Sequence, residues 1–138
     1  MKSVYVAASS EEQNRARAAI EQLKRAGIHC TSNWIDVIAQ RCDGVPNPRG
    51  SQPDLRVIRG NAVHGNKKAI READILWFLV SEVFPARGGY YEAGYADALE
   101  KELVFSGDTQ QSVFCVSGHE FVEDLEAFEF IKKLVNPP

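Results

Sequence analysis

Apolar positions along the chain follow two rhythms. Continuous runs occur at Ser3 to Ala8, Ile75 to Val80 and Leu103 to Phe105, and the middle one, Ile75-Leu76-Trp77-Phe78-Leu79-Val80, contains no polar residue. Such a run predicts a central parallel strand covered on both faces. Elsewhere the apolar residues recur at helical spacing. Ala16, Ala19, Ile20 and Leu23 predict a helix that starts behind Ser9-Ser10, where Glu12 and Gln13 supply a capping box, and stops at Gly27 in a left-handed conformation. Leu125, Phe128, Ile131 and Leu134 predict a carboxy-terminal helix with one apolar face. Ile28 to Thr31 reads as a second strand, Asn61 to Ala73 as largely helical, Tyr91 to Lys101 as a third helix, and Phe121-Val122 as an edge strand. Alternating strands and helices predict an α/β domain spanning 1–138, a doubly wound parallel sheet of about five strands with helices on both faces. Gly44, Pro46, Pro48, Gly50 and Pro53 make Gln40 to Asp54 too irregular for the core. Near the crevice mouth it is either a lid that closes over ligand or a surface excursion.

Composition narrows the classes. With 138 residues, 44% of them apolar, the chain can bury one core. Its formal charge is −3 and its basic residues are scattered, so no stripe for a nucleic-acid polymer is expected. Cys30, Cys42 and Cys115 are odd in number and lack a C-x-x-C spacing, which argues against a disulfide framework or a zinc site; no metal or cofactor is expected. Met1-Lys2-Ser3 leads straight into a strand, and no apolar run reaches transmembrane length, so the expected location is cytoplasmic, with no membrane partner.

The chemistry-bearing stretch is Gly88-Gly89-Tyr90-Tyr91-Glu92-Ala93-Gly94-Tyr95-Ala96, which follows the central strand. Open α/β sheets bind ligands at the carboxyl ends of their strands. Near the start of a helix, Glu92 is expected to be held ionised by unpaired N–H groups and the helix dipole, and an ionised carboxylate can attack an electrophilic sugar carbon. The plainer alternative is that it completes a favourable first turn. Gly88-Gly89 can form a turn whose N–H groups face an anion, with Arg87 adding a charged contact, or can be an ordinary strand-to-helix turn. Tyr5 on the first strand reaches the same crevice or packs there. Trp34 offers a flat surface for stacking a base, or fills the core.

Together these residues resemble the nucleoside 2-deoxyribosyltransferase-like superfamily, whose members include nucleoside deoxyribosyltransferases and nucleotide N-glycosidases. The likeness rests on Val4-Tyr5-Val6-Ala7-Ala8-Ser9, Ala73-Asp74-Ile75-Leu76 and Glu92-Ala93-Gly94-Tyr95-Ala96, the last being the most specific. It implies a flavodoxin-like sheet, Glu92 as nucleophile, Tyr5 as the group that holds its carboxylate, and a homo-oligomer. Substrate contacts are expected from Ser9, Trp34, Asn66, Arg87, Gly88 and Gly89. Two positions depart from the pattern. Asn66 stands where relatives place an aspartate, and Ala86 stands where nucleotide-cleaving relatives place a phosphate-binding serine. The expected function is N-glycosyl hydrolysis or transfer on a small-molecule nucleoside or nucleotide through a glycosyl-glutamate intermediate. Its rivals are a non-catalytic nucleotide-binding or sensing module and an NAD N-glycosidase.

Overall fold

The computed structural model describes residues 1–36 and 52–138, with side chains described for 1–36 and 60–138. Strand β1 (Val4–Ala8) is followed by a 3-10 turn (Ser10–Glu12) and helix α1 (Gln13–Arg25). Helix α2 (Gln52–Glu72), strand β2 (Ile75–Val80), helix α3 (Arg87–Ala98) and strand β3 (Glu102–Gly107) come next. Two 3-10 turns (Thr109–Gln111 and Val113–Ser117), strand β4 (His119–Phe121) and helix α4 (Asp124–Val135) complete the chain. Among the described residues four strands form one parallel sheet in the order β1-β2-β3-β4.

All six residues of β2 are buried, as its unbroken apolar run requires. Strand β1 is held in register at its start by polar groups. The Ser3 amide donates to the Asp74 carboxylate at 2.9 Å, and the Asp74 amide donates to the Ser3 carbonyl at 3.0 Å. Side chains of paired residues share a face, so Tyr5, Leu76 and Leu103, with Ala7, Phe78 and Phe105, line one side. Val6, Trp77 and Val104, with Ser106, line the other. Helix α3 covers the first face and pairs with α2; α1 and α4 pack together against the second.

The expected second strand shrinks to a single parallel bridge between Val4 and Cys30. Side chains cap the edge of β1 instead. The Val6 amide donates to the Ser32 hydroxyl, and the Val6 carbonyl accepts from Ser32 Oγ at 3.2 Å and Trp34 Nε1 at 2.8 Å. With both backbone groups satisfied, the ladder has nothing left to offer a longer strand.

Helix α1 ends as expected, with Gly27 at φ +73°. Helix α2 begins at Gln52, well before Asn61, and puts Pro53 in its first turn, where a missing N–H breaks no helical bond. The irregular segment therefore ends earlier than Asp54. The rest of it, and with it the lid expectation, lies outside the described residues. Helix α4 buries Ala127, Phe128, Ile131 and Val135, whereas Leu125 is exposed. The edge strand is His119–Phe121, and Val122 beyond it points to solvent. No helix among the described residues is long and apolar enough to cross a membrane.

Candidate active site

Helix α3 starts at Arg87, four residues earlier than the glycine pair suggested, and the reason lies in packing. A Cβ on Gly89 would come within 2.5 Å of Phe78 Cζ, so this glycine lets the helix settle directly on the ring of β2. The pair therefore forms the helix's first turn and not an anion-binding turn ahead of it. Glu92 consequently sits about one and a half turns inside the helix, beyond the reach of the four free N–H groups at its start. The expectation that those groups hold Glu92 ionised is overturned.

Its side chain turns toward β1. The Tyr5 hydroxyl donates to Glu92 Oε2 at 2.6 Å, and the Asn66 side chain from α2 also hydrogen-bonds the carboxyl group. Tyr5 is fully buried and Glu92 partly so. Burial pushes the Glu92 carboxyl up to about 7, against the hydrogen bonds from Tyr5 and Asn66, which pull it down. Two neutral donors do not offset the lost hydration of a carboxylate. The Tyr5 phenol is driven far upward by its own burial and then by the neighbouring Glu92 charge, so it stays a donor.

The other expected site residues are spread more widely. Gly88 lies one turn before Glu92 on the same helix face, and a Cβ there would meet nothing within 4 Å, which leaves open the approach from the helix start. Arg87 is exposed beside it, and Ala86, the residue before the helix, supplies no capping hydroxyl. The Ser9 hydroxyl accepts from the Glu11 amide at 3.3 Å and so caps the 3-10 turn. Trp34 is 7% exposed with its indole N–H spent on the Val6 carbonyl, so its ring is built into the core and not laid open for stacking. Ser81 is fully engaged as well. Its hydroxyl accepts from the Val83 and Phe84 amides at 3.1 and 3.0 Å and donates to Glu12 Oε1 at 2.9 Å. Among the described residues no group of three or more His, Cys, Asp or Glu is placed to hold a metal ion.

A second polar cluster, on the opposite sheet face, escaped sequence reasoning. Arg15 of α1 binds Asp124 of α4 through Nε and Nη2, both at 2.7 Å, and Glu12 at 3.2 Å. It also donates to the Val80 carbonyl at 2.9 Å and the Ser106 carbonyl at 3.1 Å, which uses all five guanidinium donors. The Ser106 hydroxyl donates to Asp124 at 2.7 Å and accepts from Trp77 Nε1 at 2.9 Å. Gly107 makes room for this clamp at φ +108°, since a Cβ there would overlap the Val80 carbonyl. The only signal in the sequence is an acidic residue opening the last helix.

The fold is an α/β one with a parallel sheet of the flavodoxin-like class. A 2-deoxyribosyltransferase from the psychrotolerant bacterium Bacillus psychrosaccharolyticus superposes with a TM-score of 0.63 at 18% identity, over 94% of this chain and 90% of that one. The Clostridium botulinum CMP N-glycosidase BcmB superposes with a TM-score of 0.56 at 17% identity, over 94% of this chain and 98% of that one. No protein-family model and no curated protein sequence matches the chain.

Proposed function

We propose that the protein cleaves the N-glycosidic bond of a nucleoside or nucleotide, with Glu92 as nucleophile and water or a second base as acceptor. The observation that carries this reading is the 2.6 Å bond from the buried Tyr5 hydroxyl to Glu92, with Asn66 on the same carboxyl group. The Tyr5 hydroxyl orients Oε2, and Asn66 adds a second hold on the carboxyl group. A Glu92 oxygen bonds to C1′ as the C1′–N bond breaks, and the bonding pair leaves with the base, which takes up a proton. The acceptor then attacks C1′ from the face opposite the Glu92 ester, loses a proton to solvent in exchange for the one taken up by the departing base, and releases the carboxylate with net retention.

The ionised carboxylate is the reactive form of the nucleophile. Positive charge that develops on the sugar in an oxocarbenium-like transition state is stabilised by an ionised Glu92, while Tyr5 remains a neutral donor throughout. Asn66 cannot deliver a proton as an aspartate would, so it serves to orient the carboxylate. Ala86 and the engaged Ser81 offer no free hydroxyl for a 5′-phosphate, which leaves Arg87 as the exposed cation beside the helix start. The missing hydroxyls favour an unphosphorylated nucleoside and the Arg87 charge favours its monophosphate, so paired substrates decide between them.

Incubation with paired nucleosides and 5′-monophosphates, and with NAD, with free base measured by chromatography, tests the assignment. Base release that disappears in Glu92→Gln is the expected result. A glycosyl adduct of the intact protein, seen by mass spectrometry with a slow substrate, would locate the bond. Ligand binding without base release from any member would favour the non-catalytic binding module.

A further inference from the structure

We propose that Ser81, Glu12 and Arg15, on the sheet face opposite Glu92, are positioning residues that set the placement of helix α3 and so hold Glu92 against Tyr5. This rests on the assignment of Glu92 as the reacting group. The chain must pass from the end of β2 to the start of α3 through residues 81–86, and whatever fixes that passage fixes where α3 begins. Ser81 opens it, is 2% exposed, and closes the local turn by accepting from the Val83 and Phe84 amides. Its hydroxyl proton goes across the sheet edge to Glu12, which Arg15 grips in turn.

Arg15 is anchored to the sheet itself. Its bonds to the Val80 and Ser106 carbonyls tie together the ends of β2 and β3, and its paired bonds to Asp124 add α4. The passage is also held on the α3 side. Gln111 Nε2 donates to the Ser81 carbonyl at 2.9 Å, and Gln111 Oε1 accepts from the Tyr90 hydroxyl at 3.0 Å, two residues before Glu92 along α3. The Tyr90 ring meets Phe78 edge-on at 4.8 Å, beside the contact made by Gly89. An unbroken chain of hydrogen bonds therefore runs from the Asp124 clamp to the helix that carries Glu92. At 2.6 Å the Tyr5 bond tolerates little slip of that helix along its axis.

The test compares Ser81→Ala, Glu12→Ala and Glu12→Gln, the last keeping an acceptor for the Ser81 hydroxyl. Turnover on the best substrate is split into kcat and KM. The Glu92 carboxyl is titrated separately by isotope-edited infrared spectroscopy on the substrate-free protein. Tyr5 from β1 and Asn66 from α2 face that carboxyl, and neither changes charge near neutrality, so its titration reports their grip. Ser81→Ala and Glu12→Ala are expected to lower kcat about ten- to a hundredfold with KM little changed. Both should raise the Glu92 midpoint above about 7, and Glu12→Gln should recover most of both effects.

Wild-type kcat and an unmoved midpoint in folded Ser81→Ala would overturn the proposal. So would a uniform loss of stability with neither quantity altered. If Glu12→Ala does not fold, Ser81→Ala and the exposed Gln111→Ala decide the matter from the two sides of the passage. If the wild-type protein releases base from no substrate, the glycosidase reading fails, and the substrate-free titration still tests the positioning role.

Discussion

Glu92 and Asp124 are both carboxylates on helices packed against one sheet, on opposite faces, and their environments drive them in opposite directions. Burial pushes each upward. At Glu92 it prevails, because Tyr5 and Asn66 are neutral donors, and the carboxyl rises to about 7. At Asp124 the hydrogen bonds from Arg15 and Ser106, with the Arg15 charge, outweigh burial and hold the group below the usual carboxylate range. Position adds to the contrast, since Asp124 opens α4, where the helix dipole favours an anion, and Glu92 lies inside α3. The first-turn stabilisation that the sequence pattern offered Glu92 belongs instead to Asp124. A cation as partner makes a fixed strut, and neutral partners make a carboxylate that changes charge near neutral pH.

The sharpest way to break this contrast is Glu92→Gln. Turnover should fall by several orders of magnitude, since the amide keeps the shape and loses the nucleophile. Stability should move the other way, with a definite sign. A carboxyl whose folded pKa is raised contributes fully below its unfolded value of about 4.3 and loses that contribution as pH rises through about 7. Ionised Glu92 is therefore a burden at pH 8, and the variant should gain on the order of 1–3 kcal/mol relative to wild type between pH 5 and pH 8. Denaturant unfolding at the two pH values measures this, and an equal effect at both would contradict the raised pKa.

Asp124→Asn should do the reverse. Removing the strut leaves Arg15 with Glu12 as its remaining carboxylate partner, and with Arg15 and Asp124 both partly solvated the loss at pH 7 should be about 1–3 kcal/mol. A depressed pKa contributes above the unfolded value of about 3.9 and is lost as pH falls through the folded value. The gap between variant and wild type should therefore narrow in acid, as followed by unfolding between pH 7 and pH 3.

Smaller effects should come from the donors at Glu92. Because the nucleophile must be ionised, kcat/KM should climb with pH through about 7. Tyr5→Phe and Asn66→Ala each remove a bond that pulls this value down, so both should shift the climb to higher pH. Tyr5→Phe should lower turnover more than stability, where the lost hydrogen bond is worth roughly 0.5–1.5 kcal/mol. Unchanged turnover with a large fall in melting temperature would make Tyr5 a packing residue only.

Local signals made much of this architecture readable in advance. The apolar run of β2, the periodicity of α1 and its stop at Gly27 all stand where pattern placed them. The approach of Tyr5 to Glu92 followed from motif likeness, because 87 residues separate them and no local rule joins them. What stayed hidden depends on partners remote in sequence. Gly88-Gly89 reads as a turn until Phe78 is found beneath Gly89, and the second strand looks complete until Ser32 and Trp34 occupy the edge of β1. The Arg15 clamp joins residues 109 apart, beyond any periodicity.

The anchoring of Ser3 by Asp74 has a consequence for the fidelity of folding. A strand that alternates apolar and polar residues resists a one-residue slip because slippage would turn its oily side outward. Strand β1 has no such safeguard, since Val4, Tyr5, Val6 and Ala7 are all buried and either parity would satisfy the core. Slipped by one, β1 would send Tyr5 to the wrong face, away from Glu92, at little cost in buried apolar area. The information that forbids this error lies in polar bonds, the reciprocal pair between Ser3 and Asp74 at the strand's threshold and the bonds of Val6 to Ser32 and Trp34 along its edge. Polar contacts outside the proposed site thus help decide whether a well-packed chain is also a competent one.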